Sequence, residues 1–161
     1  MRFIHVELSQ TVRFATDAAA EELGRALVEA GHQRVLLLCS PRELPRARSL
    51  APAELVVGTF TDVRVHVPRA QASAATDTAR ACSADALVAI GGGSAIGLAK
   101  AIALELSLPI YAVPTTYAGS EATDMWGITN DGAKATGTEP SVLPQVVVYD
   151  ATLTARLSPE L

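Results

Sequence analysis

The run from residue 85 to 100, Asp-Ala-Leu-Val-Ala-Ile-Gly-Gly-Gly-Ser-Ala-Ile-Gly-Leu-Ala-Lys, constrains the fold more than any other stretch of the chain. Asp85 opens a short, continuous apolar run to Ile90, the pattern of a strand buried on both faces of a parallel sheet. Gly91, Gly92 and Gly93 break it, and Ser94 stands where it can cap the helix that follows. A strand, a glycine turn and a helix in that order set unpaired N–H groups and the positive helix end beside a surface free of side chains. Phosphate or pyrophosphate suits such a surface. One glycine is enough for a tight turn. Three in a row indicate that something approaches the backbone closely.

The flanking segments repeat the alternation. Strands are expected over residues 34–39, 55–60, 109–113 and 146–149, with a short edge strand at 63–67. Helices are expected from a Thr16 or Asp17 cap to Ala30 with Gly31 ending it, then over 43–54, 69–83, from the glycine turn to about Ser107, and over 151–161. Residues 2–8 and 11–15, split by Ser9-Gln10, read as an N-terminal β-hairpin at a sheet edge. Asn130-Asp131-Gly132 signals a second hairpin between 126–129 and 133–136. The result is one α/β domain over 1–161, a Rossmann-like, mostly parallel sheet with helices on both faces. Ligands of such sheets sit at the carboxyl ends of the strands.

Composition narrows the classes. With 161 residues, 49% hydrophobic and 19% charged, the chain is long enough for a substantial core. A formal net charge of −4 argues against nucleic-acid binding. The apolar stretch 86–106 contains the triple glycine, Lys100 and Glu105, which removes it as a membrane span. Arg2 is followed by no sustained apolar run, so no signal peptide is expected. Cys39 and Cys82 lack metal-ligand spacing and read as reduced thiols of a cytoplasmic protein.

Three segments meet at the carboxyl edge of this sheet: Ser40-Pro41-Arg42, the Gly91–Ser94 turn, and the loop Thr115 to Ser120. A Gly-x-Gly-x-x-Gly fingerprint needs glycine where Ile96 stands. A P-loop begun at Gly92 reaches Gly97 but then meets Leu98 in place of lysine. Both common nucleotide motifs fail. Thr115, Thr116 and Ser120 still put three hydroxyls in a loop after a buried strand, ready to donate to phosphate or ribose oxygens.

The segment Gly91-Gly-Gly-Ser-Ala-Ile-Gly-Leu-Ala-Lys100 followed by Pro109-Ile-Tyr-Ala-Val-Pro-Thr-Thr-Tyr-Ala-Gly-Ser-Glu121 resembles the iron-containing alcohol dehydrogenase family. That family usually carries aspartate three residues after the serine. Gly97 stands there in this chain, and it resembles the subgroup that reduces the carbon–carbon double bond of maleylacetate to 3-oxoadipate in aromatic-compound degradation. Trp126-Gly-Ile-Thr129 and Val146-Val-Val-Tyr-Asp150 resemble the same subgroup.

The resemblance implies a dehydroquinate synthase-like N-terminal domain that binds NADH or NADPH. Gly91, Gly92, Gly93 and Ser94 would hold the pyrophosphate, and Thr115 and Thr116 the adenine or ribose side. Ser120, Trp126 and Lys134 would line the nicotinamide end or the cleft, where a small dicarboxylate enters. Ser40 falls where many NAD-specific members carry an aspartate. Its absence, with Arg42 nearby, suits NADPH as well as NADH. The family's metal-binding and proton-donating groups lie on an all-helical C-terminal domain that this chain does not include. No catalytic or metal residue is therefore expected here, and His5, His32 and His66 have no ligand spacing. A homodimer is expected, paired through residues 2–15. Two other readings remain: the cofactor domain of a metal-dependent alcohol dehydrogenase acting on aldehydes or ketones, and a non-catalytic nucleotide-binding or dimerisation module.

Overall fold

The structure, a computed structural model, describes residues 9–155 and 157. In chain order the elements are β1 (Thr11–Ala15), α1 (Ala19–Glu29), β2 (Val35–Leu38), α2 (Leu44–Leu50), β3 (Val56–Phe60), α3 (Arg69–Ala81), β4 (Ala86–Gly91) and α4 (Gly93–Leu106). They continue with β5 (Ile110–Pro114), β6 (Met125–Asn130), β7 (Ala133–Thr138), β8 (Val146–Asp150) and the single turn α5 (Ala151–Thr154). Six strands form one sheet in the order β1-β8-β5-β4-β2-β3, every pair parallel. β6 and β7 make a separate antiparallel hairpin turning at Asp131-Gly132.

Successive side chains of a strand point to opposite faces, and this splits the core into two layers. Leu36, Leu38, Leu87, Ala89, Ile110, Ala112 and Val147 join α3 and α4 on one face. Val35, Leu37, Val88, Ile90, Tyr111, Val113 and Val148 join α1 and α2 on the other. Both faces being covered explains why β2, β4 and β5 are buried at every position and read as unbroken apolar runs. Each fully buried leucine or isoleucine contributes about 2 kcal/mol by leaving water. The chain passes from β2 outward to β3, then returns to the far side of β2 for β4. That reversal puts the switch point between β2 and β4.

Three expectations from the sequence are corrected. Residues 63–67 form no strand: His66 and Val67 lie in left-handed backbone, at φ +63° and +46°, and Pro68 makes only an isolated bridge to Thr129. The helix expected over 43–54 is shorter, with Pro45 in its first turn and the chain extended again at Ala51. Neither Thr16 nor Asp17 caps α1. Its start is held from β8 instead: the Asp150 carboxylate accepts from the amides of Asp17, Ala18 and Ala19 at 3.0–3.1 Å. The N-terminal hairpin lies partly in residues 1–8, outside the described ones. Its second half, β1, pairs parallel with β8 at the sheet edge. Of the helical tail expected over 151–161, the described residues show the turn α5.

Asp150 also accepts from the hydroxyl and amide of Thr152, at 2.7 and 2.9 Å. Burial pushes this carboxyl up, but the hydrogen bonds from Thr152, Asp17 and Ala19 outweigh it and hold it down at about 2. A carboxyl depressed in the folded state stabilises fully above its unfolded value of 3.8, and the contribution is lost as pH falls through about 2. Asp150→Ala is expected to cost about 2 kcal/mol at neutral pH. Urea unfolding followed between neutral and acid pH should show the difference from wild type shrinking over that same interval.

Candidate functional site

The triglycine turn is shaped by the loop that follows β5. Gly91 ends β4 at φ +152°, a conformation that side chains rarely adopt, and its carbonyl accepts from the Thr115 amide at 3.0 Å. A Cβ on Gly92 would lie 2.7 Å from Thr116 Oγ1, and one on Gly93 would lie 3.0 Å from the Ala118 Cβ. The close approach anticipated from the sequence is thus made in the first instance by the protein's own loop. The N-cap of α4 is Gly92, with no side-chain cap, so Ser94 sits inside the first turn rather than capping it. The first amides of this 14-residue helix have no partners within it, and Gly93 and Ser94 open onto a cleft.

That cleft has a volume of about 570 Å³ and lies between the N-terminal half of α4, the loop 118–125, the β6–β7 hairpin and the corner at 65–67. The size is that of a cofactor or substrate site. Its lining carries Lys100, Lys134 and His66 but no aspartate or glutamate, although the chain has 17 acidic residues. Its electrostatics favour an anion.

Two glycines in the hairpin set the cleft wall. The Trp126 indole lies across Gly137, where a Cβ would be 2.8 Å from the ring. Lys134 lies across Gly127 in the same way, its Cε 2.8 Å from where a Cβ would stand. Against the hairpin, the left-handed His66–Val67 corner is clamped by one residue of β6. Thr129 donates its amide to the Val67 carbonyl at 3.0 Å and its hydroxyl to the His66 carbonyl at 2.8 Å. Val67 in turn packs on Gly97, where a Cβ would be 3.1 Å from its methyl group. Gly97 is therefore the residue that lets this corner enter the cleft.

The sequence reading missed Lys100. It is 1% exposed, and its ammonium donates to the Thr123 carbonyl at 2.6 Å, the Met125 carbonyl at 2.8 Å and Thr123 Oγ1 at 3.1 Å. Burial pushes it down to about 8, against the opposing pull of Asp124 and Glu121. Glu121 is also buried. It accepts from the Tyr149 hydroxyl at 3.0 Å through Oε1, while Oε2 has no partner in the structure. Burial, with Glu121 adding to it, pushes the Tyr149 phenol up to about 12. A lysine inside a helix as apolar as α4 is the signal that points to such a residue.

The structure thus brings Gly93, Ser94, Ser120, Trp126 and Lys134 together in one cleft. Gly91, Gly92 and Thr115 form the turn beneath it. Thr116 faces a second cavity of about 270 Å³, lined also by Phe14, Tyr117, Tyr149 and Asp150, on the far side of the loop. Ser40 lines neither cavity: it follows β2, and its hydroxyl accepts from the Glu43 amide at 3.3 Å. Among the described residues no group of three or more His, Cys, Asp or Glu could hold a metal ion, and no helix is long and apolar enough to cross a membrane.

A parallel sheet flanked by helices, with an anion-favouring cleft at the glycine turn, defines an α/β fold of the dehydrogenase type, and the relatives share it. Residues 9–151 match the model of the iron-containing alcohol dehydrogenase family, to which the chain belongs. Within it the chain is similar to maleylacetate reductases. That of Sphingobium indicum is 46% identical over an alignment of 165 positions, gaps included, spanning 100% of this chain and 46% of that protein. Crystal structures of the maleylacetate reductases of Agrobacterium tumefaciens and Rhizobium sp. strain MTP-10005 superpose with TM-scores of 0.93 and 0.92 at 36% and 38% identity. Each match covers 98% of this chain and 45% of the other. The chain spans just under half the length of the curated relatives it matches.

The contact between turn and loop is open to a double-mutant cycle. Gly92→Ala should cost about 1–3 kcal/mol by forcing Thr116 aside. Adding Thr116→Ala should recover part of that loss, because it removes the two nearest atoms. Thermal unfolding of the four proteins checks it, and strictly additive effects would contradict the packing described.

Proposed function

We propose that the chain is the NADH- or NADPH-binding half of a reductase that converts maleylacetate to 3-oxoadipate. The observation that carries the reading is the cleft itself: a helix N-terminus, two lysines and a histidine, with no carboxylate, in a chain similar over its whole length to maleylacetate reductases. The dinucleotide fits the residues present. The pyrophosphate would meet the amides of Gly93 and Ser94 at the positive end of α4. The adenosine would reach past Thr116 toward the second cavity, and the nicotinamide would lie along the wall made by Ser120, Trp126 and Lys134. Bound NADH supplies the hydride. The chain's own part is to orient the ring, shield it from water and hold the dicarboxylate by charge.

The iron in the family's description finds no donor set among the described residues, so no step is assigned to a metal here. A dimer is part of the proposal, formed through the sheet edge at β1, where Val12 and Phe14 are 55% and 73% exposed. We assign the enzyme to the cytoplasm, where Cys39 and Cys82 remain thiols.

Trp126 is the chain's single tryptophan and lines the cleft, so its fluorescence reports occupancy directly. NADH is expected to quench it saturably, and Ser94→Asp, which sets a negative charge against the pyrophosphate, should weaken binding at least about tenfold. Fluorescence unchanged by NADH, together with no reduction of maleylacetate by the full-length protein, would refute the reading.

Arg42 is exposed at the carboxyl end of β2, beside Ser40. Arg42→Glu should weaken NADPH several-fold and leave NADH within about twofold, since only NADPH brings a 2′-phosphate. Calorimetry with both nucleotides makes the comparison.

A further inference from the structure

Gly93, Gly97 and Lys100 recur at the spacing of one helix face, and all three line the cleft. Lys100 thus lies about 10 Å along α4 from the helix end that attracts anions. Its three N–H donors meet three acceptors, all in the segment that joins the loop after β5 to β6. Two of these are backbone carbonyls, so the contact fixes the course of the chain between Ser120 and Trp126. Among the described residues Lys100 makes no ion pair; Asp124 and Glu121 act on its charge only from beyond contact distance.

We propose that Lys100 is a positioning residue of the cleft: its ammonium ties the Thr123–Met125 segment to α4 and supplies a buried positive charge to an anionic ligand. The inference rests on the reading of this cleft as a dinucleotide site. Neutral Lys100 would have two N–H donors for three acceptors and no charge, so both contributions fall together. Asp124 and Glu121, on the segment that Lys100 holds, favour its charged form. Lys134 and His66 are the other titratable groups lining the cleft.

The test is NADH affinity by Trp126 fluorescence from pH 7 to 10, a range over which the pyrophosphate keeps its charge. It is made on wild type, Lys100→Gln, which keeps N–H donors without charge, and Lys100→Met, which keeps neither. Wild-type affinity is expected to fall about tenfold, the fall setting in near pH 8 and complete by pH 10. Lys100→Gln should already be about tenfold weaker at pH 7 and show no further fall. Lys100→Met should be weaker still, with shifted Trp126 emission before any NADH is added. A purely structural lysine would lower thermal stability in both variants while their NADH affinity kept the wild-type slope, and that result overturns the proposal. If the variants do not fold, the wild-type profile decides: binding that is flat from pH 7 to 10 refutes the role of Lys100 alone. Absence of NADH binding at pH 7 instead refutes the dinucleotide reading and the inference with it.

Discussion

The contact on which the site depends is between the backbone of Gly92 and the side chain of Thr116. The end of β4 and the loop after β5 come so close that a Cβ at the first of these positions would lie 2.7 Å from the Thr116 hydroxyl oxygen. The hydrogen bond from the Thr115 amide to the Gly91 carbonyl continues the β4–β5 ladder one step beyond the strands and fixes where both chains leave the sheet. From that junction α4 starts in one direction, and the loop carrying Ala118 and Ser120 leaves in another. The cleft is the space between them. Its anion preference arises from the same junction, because the helix end is exposed only where the glycines carry nothing to cover it.

A second set of restraints works at longer range. Asp150 reaches from the last strand of the sheet to the first turn of α1, joining segments more than 130 positions apart in the chain. Lys100 does the same for the segment between the loop and the hairpin. In both cases a buried charge is held by several partners at once, which makes it specific about geometry as well as stabilising.

How much of this was legible depended on whether the cause was local. β2, β4 and β5 could be read directly because burial on both faces leaves an uninterrupted apolar signature. The β6–β7 turn was equally plain in Asn130-Asp-Gly132. The α1 cap was misread because candidates stood beside the helix while the actual acceptor, Asp150, lay at the other end of the chain. Val63-Arg-Val-His-Val67 alternates as an edge strand should, yet Thr129 captures the carbonyls of His66 and Val67 and bends the segment away. Ser94 and Ser120 were read from the residues themselves and Trp126 and Lys134 through resemblance, and the structure gathers them with Gly93 in one cleft. Lys100 was read only as a charge that excludes a membrane span, because its acceptors, at Thr123 and Met125, lie more than 20 positions away.

The clamp at Thr129 has a mechanical consequence. His66 and Val67 are held in a backbone region unfavourable to both, most of all to a β-branched valine, at about 1–3 kcal/mol for each. If the β6–β7 hairpin swings outward, two hydrogen bonds worth roughly 0.5–1.5 kcal/mol each are lost. The same movement lets both residues relax to ordinary backbone. Loss and relief are of similar size, so the clamp and the strain it imposes nearly offset each other. The corner is therefore held against the hairpin by geometry, with little net free energy from the clamp itself.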